Sequence, residues 1–324
     1  MAIEILTRYR FGRPPTEEEQ AARVDVSVPV ATYARVDSDV FAMNERFLEV
    51  CDGRYVNRGT GTAIFAGAGG ASLAISIMLI WMIANASHYA RQQSDVTFAH
   101  WMFGVLLIVV GGIFVLSLRA LLADCFIYTY WSIRLDRISR TIRVFRHNGK
   151  NGITTVPWDS AFFYIERKAR GGIAMAQACS IRCHVPNENN NVIDSFSLGN
   201  PVHIISDSQS ERRKQQTESL LAKLEFYRRY MNEGPCDVPR VTEFLPKNVS
   251  FGNSLRFAFD GTKEVLASGN IFLFAFLAVA AVPNFLMAVC HYVTMKTCRV
   301  PVWPDEPEVA GGVGKQQDAQ ATSL

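Results

Sequence analysis

The chain has 324 residues, and its 33 Lys and Arg against 30 Asp and Glu leave a formal charge of only +3, with charged residues at 19% of the total. A mean hydropathy of +0.08 and three long windows almost without charge exclude an ordinary soluble globule, and collagen-like, disordered and disulfide-stapled classes are excluded as well. So mild a charge gives no reason to expect nucleic acid as a partner.

Residues 1–60 read as a cytoplasmic N-terminal segment with short helices. Thr16 and Glu19 make a capping-box signature ahead of one helix, and residues 38–51 read as an amphipathic helix ending at Gly53. The segment holds eight arginines and no apolar run, so no signal peptide is expected.

Residues 61–131 are expected to be a transmembrane helical hairpin with a cytoplasmic helix extension. The first uncharged window, 61–87, predicts a span at about 62–84, and the second predicts one at about 98–118, since a hydrocarbon core needs roughly 20 apolar residues. Trp101, Tyr128, Tyr130 and Trp131 suit interfacial belts. Gly67, Gly70 and Ala71 in the first span, with Gly111 and Gly112 in the second, are the candidate helix-packing residues, because small side chains let backbones approach. Arg119 is expected to snorkel to the interface, and Asp124 to reach water along the helix extension. Asn85-Ala-Ser87 is a glycosylation sequon, meaningful only in a eukaryotic secretory pathway.

Residues 132–240 form the β region. Ile133 and Leu135 alternate with Arg134 and Asp136, and after a turn Ile142 and Val144 alternate with Arg143 and Phe145, which is the period of a hairpin. Further strands are expected at 153–156, 161–166, 173–185 and 192–198. The period then changes to helical over 208–231, with Leu220, Leu221, Leu224, Tyr227 and Met231 on one stripe and Glu233-Gly234-Pro235 as the stop. About six strands followed by one helix, with no βαβ alternation, predict an antiparallel sheet or open barrel closed by that helix. Val156-Pro157-Trp158-Asp159 reads as an edge strand or strand start, with Trp158 in the core and Asp159 capping a turn. Residues 241–265 are a linker and 266–293 a third span, kinked at Pro283. The tail, 294–324, is expected to be disordered and extracytoplasmic.

Basic residues set the orientation. Residues 1–60 and 134–150 are rich in arginine, whereas the first interhelical loop carries only Arg91 and the tail only Lys296, Arg299 and Lys315. The N-terminus and β region are therefore placed inside and the C-terminus outside, the parity that three spans require. Arg134, Arg137, Arg140, Arg143 and Arg146 start soon after the second span, so they are candidate contacts to anionic lipid headgroups as well as candidates for a solvated strand face. Membrane lipids are the first expected partner.

Motifs for chemistry are missing. There is no phosphate-cradling loop, no Gly-x-Ser-x-Gly elbow and no His-Glu-x-x-His, and Cys179 and Cys183 lie four apart on one strand, too far along an extended chain to bridge. No catalytic residue, cofactor or metal is expected.

Leu135 to Ile165, with LDRISRTIRVFRHNG, VPWD and FFYI, and the later FYRRYMNEGP resemble a family of uncharacterised proteobacterial inner-membrane proteins that pair transmembrane helices with a pleckstrin-homology-like domain. The resemblance covers roughly residues 100–240. It implies a membrane α plus α+β architecture, with three spans and a pleckstrin-homology-like antiparallel β domain closed by a C-terminal amphipathic helix. Genes of that family often lie near type VI secretion effectors, which implies an effector or secretion-associated protein partner. Three functions follow as expectations: a non-enzymatic inner-membrane protein whose cytoplasmic β domain binds a protein or lipid headgroup, an immunity or accessory protein for a type VI effector, and, more weakly, a small transporter or channel component.

Overall fold

The computed structural model describes residues 11–85, 93–149, 151–169, 176–205, 211–260, 262 and 271–304. Two units make up the chain. A β unit draws on Leu6–Asn57, Tyr128–Asn248 and Val300–Leu324, and a helical unit on Arg58–Ile127 and Val249–Arg299.

In the β unit the expected strands appear as β4 (Ser132–Asp136), β5 (Thr141–Phe145), β6 (Ile153–Pro157), β7 (Phe162–Ala169), β8 (Ala176–Pro186) and β9 (Val192–Ile205). The closing helix α5 follows at Glu211–Asn232 and ends where Gly234 takes φ +100° and donates to the Tyr230 carbonyl. Three further strands come from the N-terminal segment. They are β1 (Arg23–Val24), β2 (Val40–Met43) and β3 (Phe47–Cys51). The result is two antiparallel sheets, one ordered β2-β3-β4-β5-β6 and the other β1-β7-β8-β9. Ile133, Leu135, Ile142 and Val144 share a core with Trp158, Phe163, Leu224 and Tyr227, so Trp158 is the core residue its alternation predicts. Each fully buried aliphatic or aromatic side chain of this kind stabilises the unit by about 1.5–3 kcal/mol.

The amphipathic helix expected over 38–51 is instead the β2–β3 hairpin. Asn44 turns the chain, its Oδ1 accepting from the Arg46 and Phe47 amides. β3 then pairs with β4 from Phe47↔Asp136 to Cys51↔Ser132. A helix here would bury its apolar residues, but it would leave the β4 edge without a partner. The helical hairpin Arg58–Ile127 is thus inserted between two strands that are neighbours in one sheet.

Helix α5 is buried on almost every side through 222–228. Its apolar stripe faces the sheets, while the N-terminal segment covers its polar residues. The Val30 amide donates to Glu225 Oε2 at 3.0 Å, the Arg35 amide to the Ala222 carbonyl at 3.0 Å, and the Tyr227 hydroxyl to Asp39 Oδ2 at 2.6 Å. Lys223, 1% exposed, pairs with the same Asp39 carboxylate. The short helix α1 (Glu17–Ala21) carries the expected capping box and lies on the second sheet, where Glu19 binds Arg13 at 2.7 Å.

Three helices are long and apolar enough to cross a membrane, Tyr55–Ala84, Val96–Asp124 and Ile271–Thr297, and all but the first turn of the first lies in the helical unit. The first is built from α2 (Thr60–Ile64), a π turn (Phe65–Gly69) and α3 (Gly70–Ala84). The second lies in α4 (Gln93–Asp124) and the third is α7, Ile271–Thr297, which continues through Pro283. Only 17%, 11% and 6% of their apolar windows are buried within the protein, so most of their surface needs an apolar solvent, and together they point to a membrane protein. The loop carrying the sequon beyond Asn85 and Arg91 lies outside the described residues.

The spans meet at one polar junction. Asp124, which the sequence reading sends to water, is 2% exposed. Its Oδ2 accepts from the Gly61 amide at 3.0 Å, and its Oδ1 pairs with Arg58 at 3.2 Å. Arg58 Nη1 also donates to the Asp124 backbone carbonyl at 2.9 Å. An anion therefore sits at the N-terminus of the first span and a cation at the C-terminus of the second, each matching the helix dipole it meets. The third span joins through Thr62 Oγ1 to Thr294 Oγ1 at 2.6 Å and Arg58 Nη2 to Cys298 Sγ at 3.2 Å. A methyl group on Gly61 would collide with the Ala120 carbonyl, and one on Gly59, at φ +86°, with the His291 backbone. Gly67, Gly70, Gly111 and Gly112 face open space, so close approach occurs at Gly61 and Gly69 instead, the latter against Ser117. Ala71 is likewise exposed.

The sequence reading places the whole tail disordered and across the membrane from the β region. Residues 300–304 instead belong to the β unit and are hydrogen-bonded to it.

Candidate functional site

The hairpin β4–β5 sends Ile133, Leu135, Ile142 and Val144 into the core, which leaves Ser132, Arg134, Arg143 and Phe145 on the outer face. Glu49 on β3 lies opposite Arg134, and Arg134 opposite Arg143, giving one cross-strand row. Two like charges side by side would repel. Neighbouring groups offset this: Glu49 Oε2 accepts from Arg134 Nη2 at 3.0 Å and from Lys247 Nζ at 2.9 Å.

Trp303 lies over this row. Its ring is 4.2 Å from the Arg134 guanidinium carbon, 5.7 Å from that of Arg143 and 6.0 Å from the Phe145 ring, and its Nε1 donates to Ser132 Oγ at 3.1 Å. The side chain is 2% exposed. The Phe47 ring lies 4.6 Å from the same guanidinium carbon, so Arg134 makes cation–π contacts with two aromatic rings.

Beside Trp303, Asn148 holds the backbone of the same segment. Its Nδ2 donates to the Val300 carbonyl at 3.3 Å and its Oδ1 accepts from the Val302 amide at 2.9 Å. One carboxamide thereby pairs with two residues of an extended chain as a neighbouring strand would. The Tyr128 hydroxyl, accepting from the Asn148 amide at 2.8 Å, fixes the residue. An open cavity of about 580 Å³ adjoins the clamp between Gly149, Asn151, Gly152 and Ile153 of the β5–β6 turn and Val302 and Pro304 of the tail.

The five arginines of the predicted basic hairpin do not form one patch. Arg134 and Arg143 lie under Trp303. Arg140 binds Asp159 through Nε at 2.9 Å and holds that carboxyl below the usual range. Arg137 reaches Glu45 at 3.7 Å, and Arg146 pairs with Asp194. Asp159 is therefore an ion-pair partner as well as a turn residue.

On the second sheet His184 Nδ1 lies 3.1 Å from Ser195 Oγ and its Nε2 lies 3.4 Å from Glu19. Burial pushes the imidazole down from its ordinary value. The Arg13 hydrogen bond holds Glu19 at about 2. Arg182 Nε also donates to Ser195 Oγ, at 3.3 Å, so this buried row pins α1 to the sheet. Cys179 and Cys183 are not joined in a disulfide and are buried in the core. Among the described residues no group of His, Cys, Asp and Glu could hold a metal ion.

A profile for a family of unknown function, DUF6708, matches residues 112–311, more than half of the chain. The chain belongs to that family. The matched stretch begins inside the second span, includes β4–β9, α5 and the third span, and runs past Trp303. No curated protein and no solved structure matches the chain.

Sequence reasoning missed the tail site. Its signal is Pro301-Val302-Trp303-Pro304, a large aromatic between two prolines in a stretch otherwise suited to disorder.

Proposed function

We propose that the chain is a non-enzymatic integral inner-membrane protein whose cytoplasmic β unit is a protein-binding module of pleckstrin-homology-like arrangement. The observation that carries this reading is the extended segment 300–304 seated on the outer face, with its backbone clamped by Asn148 and its aromatic side chain stacked on Arg134. A surface that orders an extended peptide in this way has the recognition chemistry of a protein partner: backbone pairing for affinity and an aromatic slot for specificity. Support for the arrangement comes from the antiparallel strands β4–β9 in two sheets followed by α5. Headgroup binding has less support, because Arg140 and Arg146 are engaged by carboxylates and Arg134 is buried. The arginine-rich segments that flank the first two spans support the cytoplasmic assignment.

The test uses the full chain in detergent with a labelled synthetic peptide of residues 299–306. The Trp303→Ala chain, its slot vacated, is expected to bind the peptide saturably while the unsubstituted chain does not. Failure of both to bind removes the proposal. Binding of either chain to anionic vesicles, with no uptake of peptide, would move the reading to the headgroup.

A further inference from the structure

We infer that the polypeptide from Phe251 to Thr297 enters and leaves the bilayer at the same face, so that the C-terminus shares the compartment of the β unit. The inference rests on the membrane reading above and changes the parity that three crossings would give.

Two independent observations carry it. The first lies within the β unit. Val302 donates to Asn148, Asn148 to the Val300 carbonyl, and Trp303 to Ser132. A segment hydrogen-bonded to a folded sheet lies on the same side of a bilayer as that sheet. Residue 248, where the chain leaves the β unit, and residue 300, where it returns, are therefore on one side.

The second lies within the helical unit and fixes the direction of α7. Its C-terminal end adjoins the start of the first span, through Thr294 to Thr62 at 2.6 Å, and the end of the second, through Cys298 Sγ to the Asp124 carbonyl at 3.5 Å and the Arg299 amide to the Ile127 carbonyl at 2.7 Å. Those two ends run directly into the β unit at Asn57 and Tyr128. Ile271 is therefore the remote end, with the helix spanning about 40 Å at 1.5 Å per residue.

Helix α6 (Phe251–Ala258), which precedes it, packs at the near end. Phe251 meets Phe285 and Tyr292 at 6.1 and 5.7 Å, Phe257 stacks on His291 at 4.7 Å, and Ser254 Oγ lies 2.9 Å from His291 Nδ1. His291 and Ser254 are both buried in this contact. The chain thus starts beside His291, reaches a point about 30 Å away along the axis by Ile271, and comes back. Along α7 the chain therefore runs inward, from that remote point to the face where α6 packs.

The experiment fuses a compartment-sensitive reporter after Leu324 and, separately, inserts it in the exposed β8–β9 turn at Asn189, both in the full chain. The same sidedness is expected for both, and opposite sidedness overturns the inference. A second measurement labels Ile271→Cys and Asn85→Cys chains with a membrane-impermeant thiol reagent applied to either face, the exposed native Cys236 reporting the β-unit side. Both introduced thiols are expected to react from the face opposite Cys236. Reaction of Ile271→Cys from the Cys236 face alone means that α7 does not traverse, and the inference fails. Release of the intact chain from vesicles by alkaline washing would instead remove the membrane reading itself, a separable result.

Discussion

The β unit and the helical unit handle charge in opposite ways. The β unit buries ionised groups at several places, each neutralised by a partner: Lys223 by Asp39 and Arg134 by Glu49 from other segments, and Arg228 by Glu225 one turn away on α5. Among the described residues the helical unit carries a buried ion pair at one end, Arg58 with Asp124, and leaves most of the length of its three long helices apolar and outward-facing. The difference is one of solvent. In water an apolar core supplies the stability and polar groups can be tied in anywhere, whereas in lipid the apolar surface costs nothing and polar contacts decide where helices meet.

This contrast is sharpest at Asp124. Asp124→Ala leaves Arg58 buried without its carboxylate and is expected to cost about 3–5 kcal/mol, read as loss of detergent-resistant folding. Arg119→Ala on the same helix, at an exposed position, is expected to leave that readout unchanged. Equal effects would dissolve the distinction between the junction and the rest of the span. Trp303→Ala should come next, at about 3 kcal/mol in the unfolding of the β unit with little change in extraction from membranes.

Acid should act on the β unit first. Burial would raise the Glu225 carboxyl, but hydrogen bonds from Arg228 and Arg229 outweigh it and hold the group at about 2, as Arg13 does for Glu19. A carboxyl held below its unfolded value adds stability above that value. The contribution is therefore whole above about pH 4.5 and is lost as pH falls toward 2. His184 adds an earlier loss, because a buried neutral imidazole destabilises the fold as pH drops below about 6.5 and the unfolded chain takes up the proton. Thermal unfolding followed from pH 7 to 3 checks both, and His184→Gln should flatten only the upper part of the curve. Arg140→Ala is the smallest change, at about 0–1 kcal/mol, because the pair with Asp159 is solvent-exposed.

The strands β4–β9 and helix α5 were legible because alternation, turn residues and a change of period are local signals, and the three spans because length and hydropathy are. The β2–β3 hairpin was not. Its apolar residues fit either period, and only the distant partner β4 selects the strand. The burial of Lys223, Glu225 and Arg228 was equally hidden, since it depends on residues 30–39 wrapping the far side of α5. The same holds for the candidate site. The β4–β5 arginines stood out as a basic run, but that two of them cradle Trp303 is a contact between residues 134–143 and 303 that no window of sequence contains.

The position of the helical hairpin has a consequence for synthesis. As the polypeptide emerges from the ribosome, β2 and β3 appear before the first two spans, and β4, the neighbour they need, only after both. Until then one edge of the nascent pair stays open, a template for unwanted association. Completion of the soluble half thus waits on delivery of the greasy half to its bilayer. A cell short of insertion capacity would accumulate misassembled β-rich aggregate rather than a stable stranded domain.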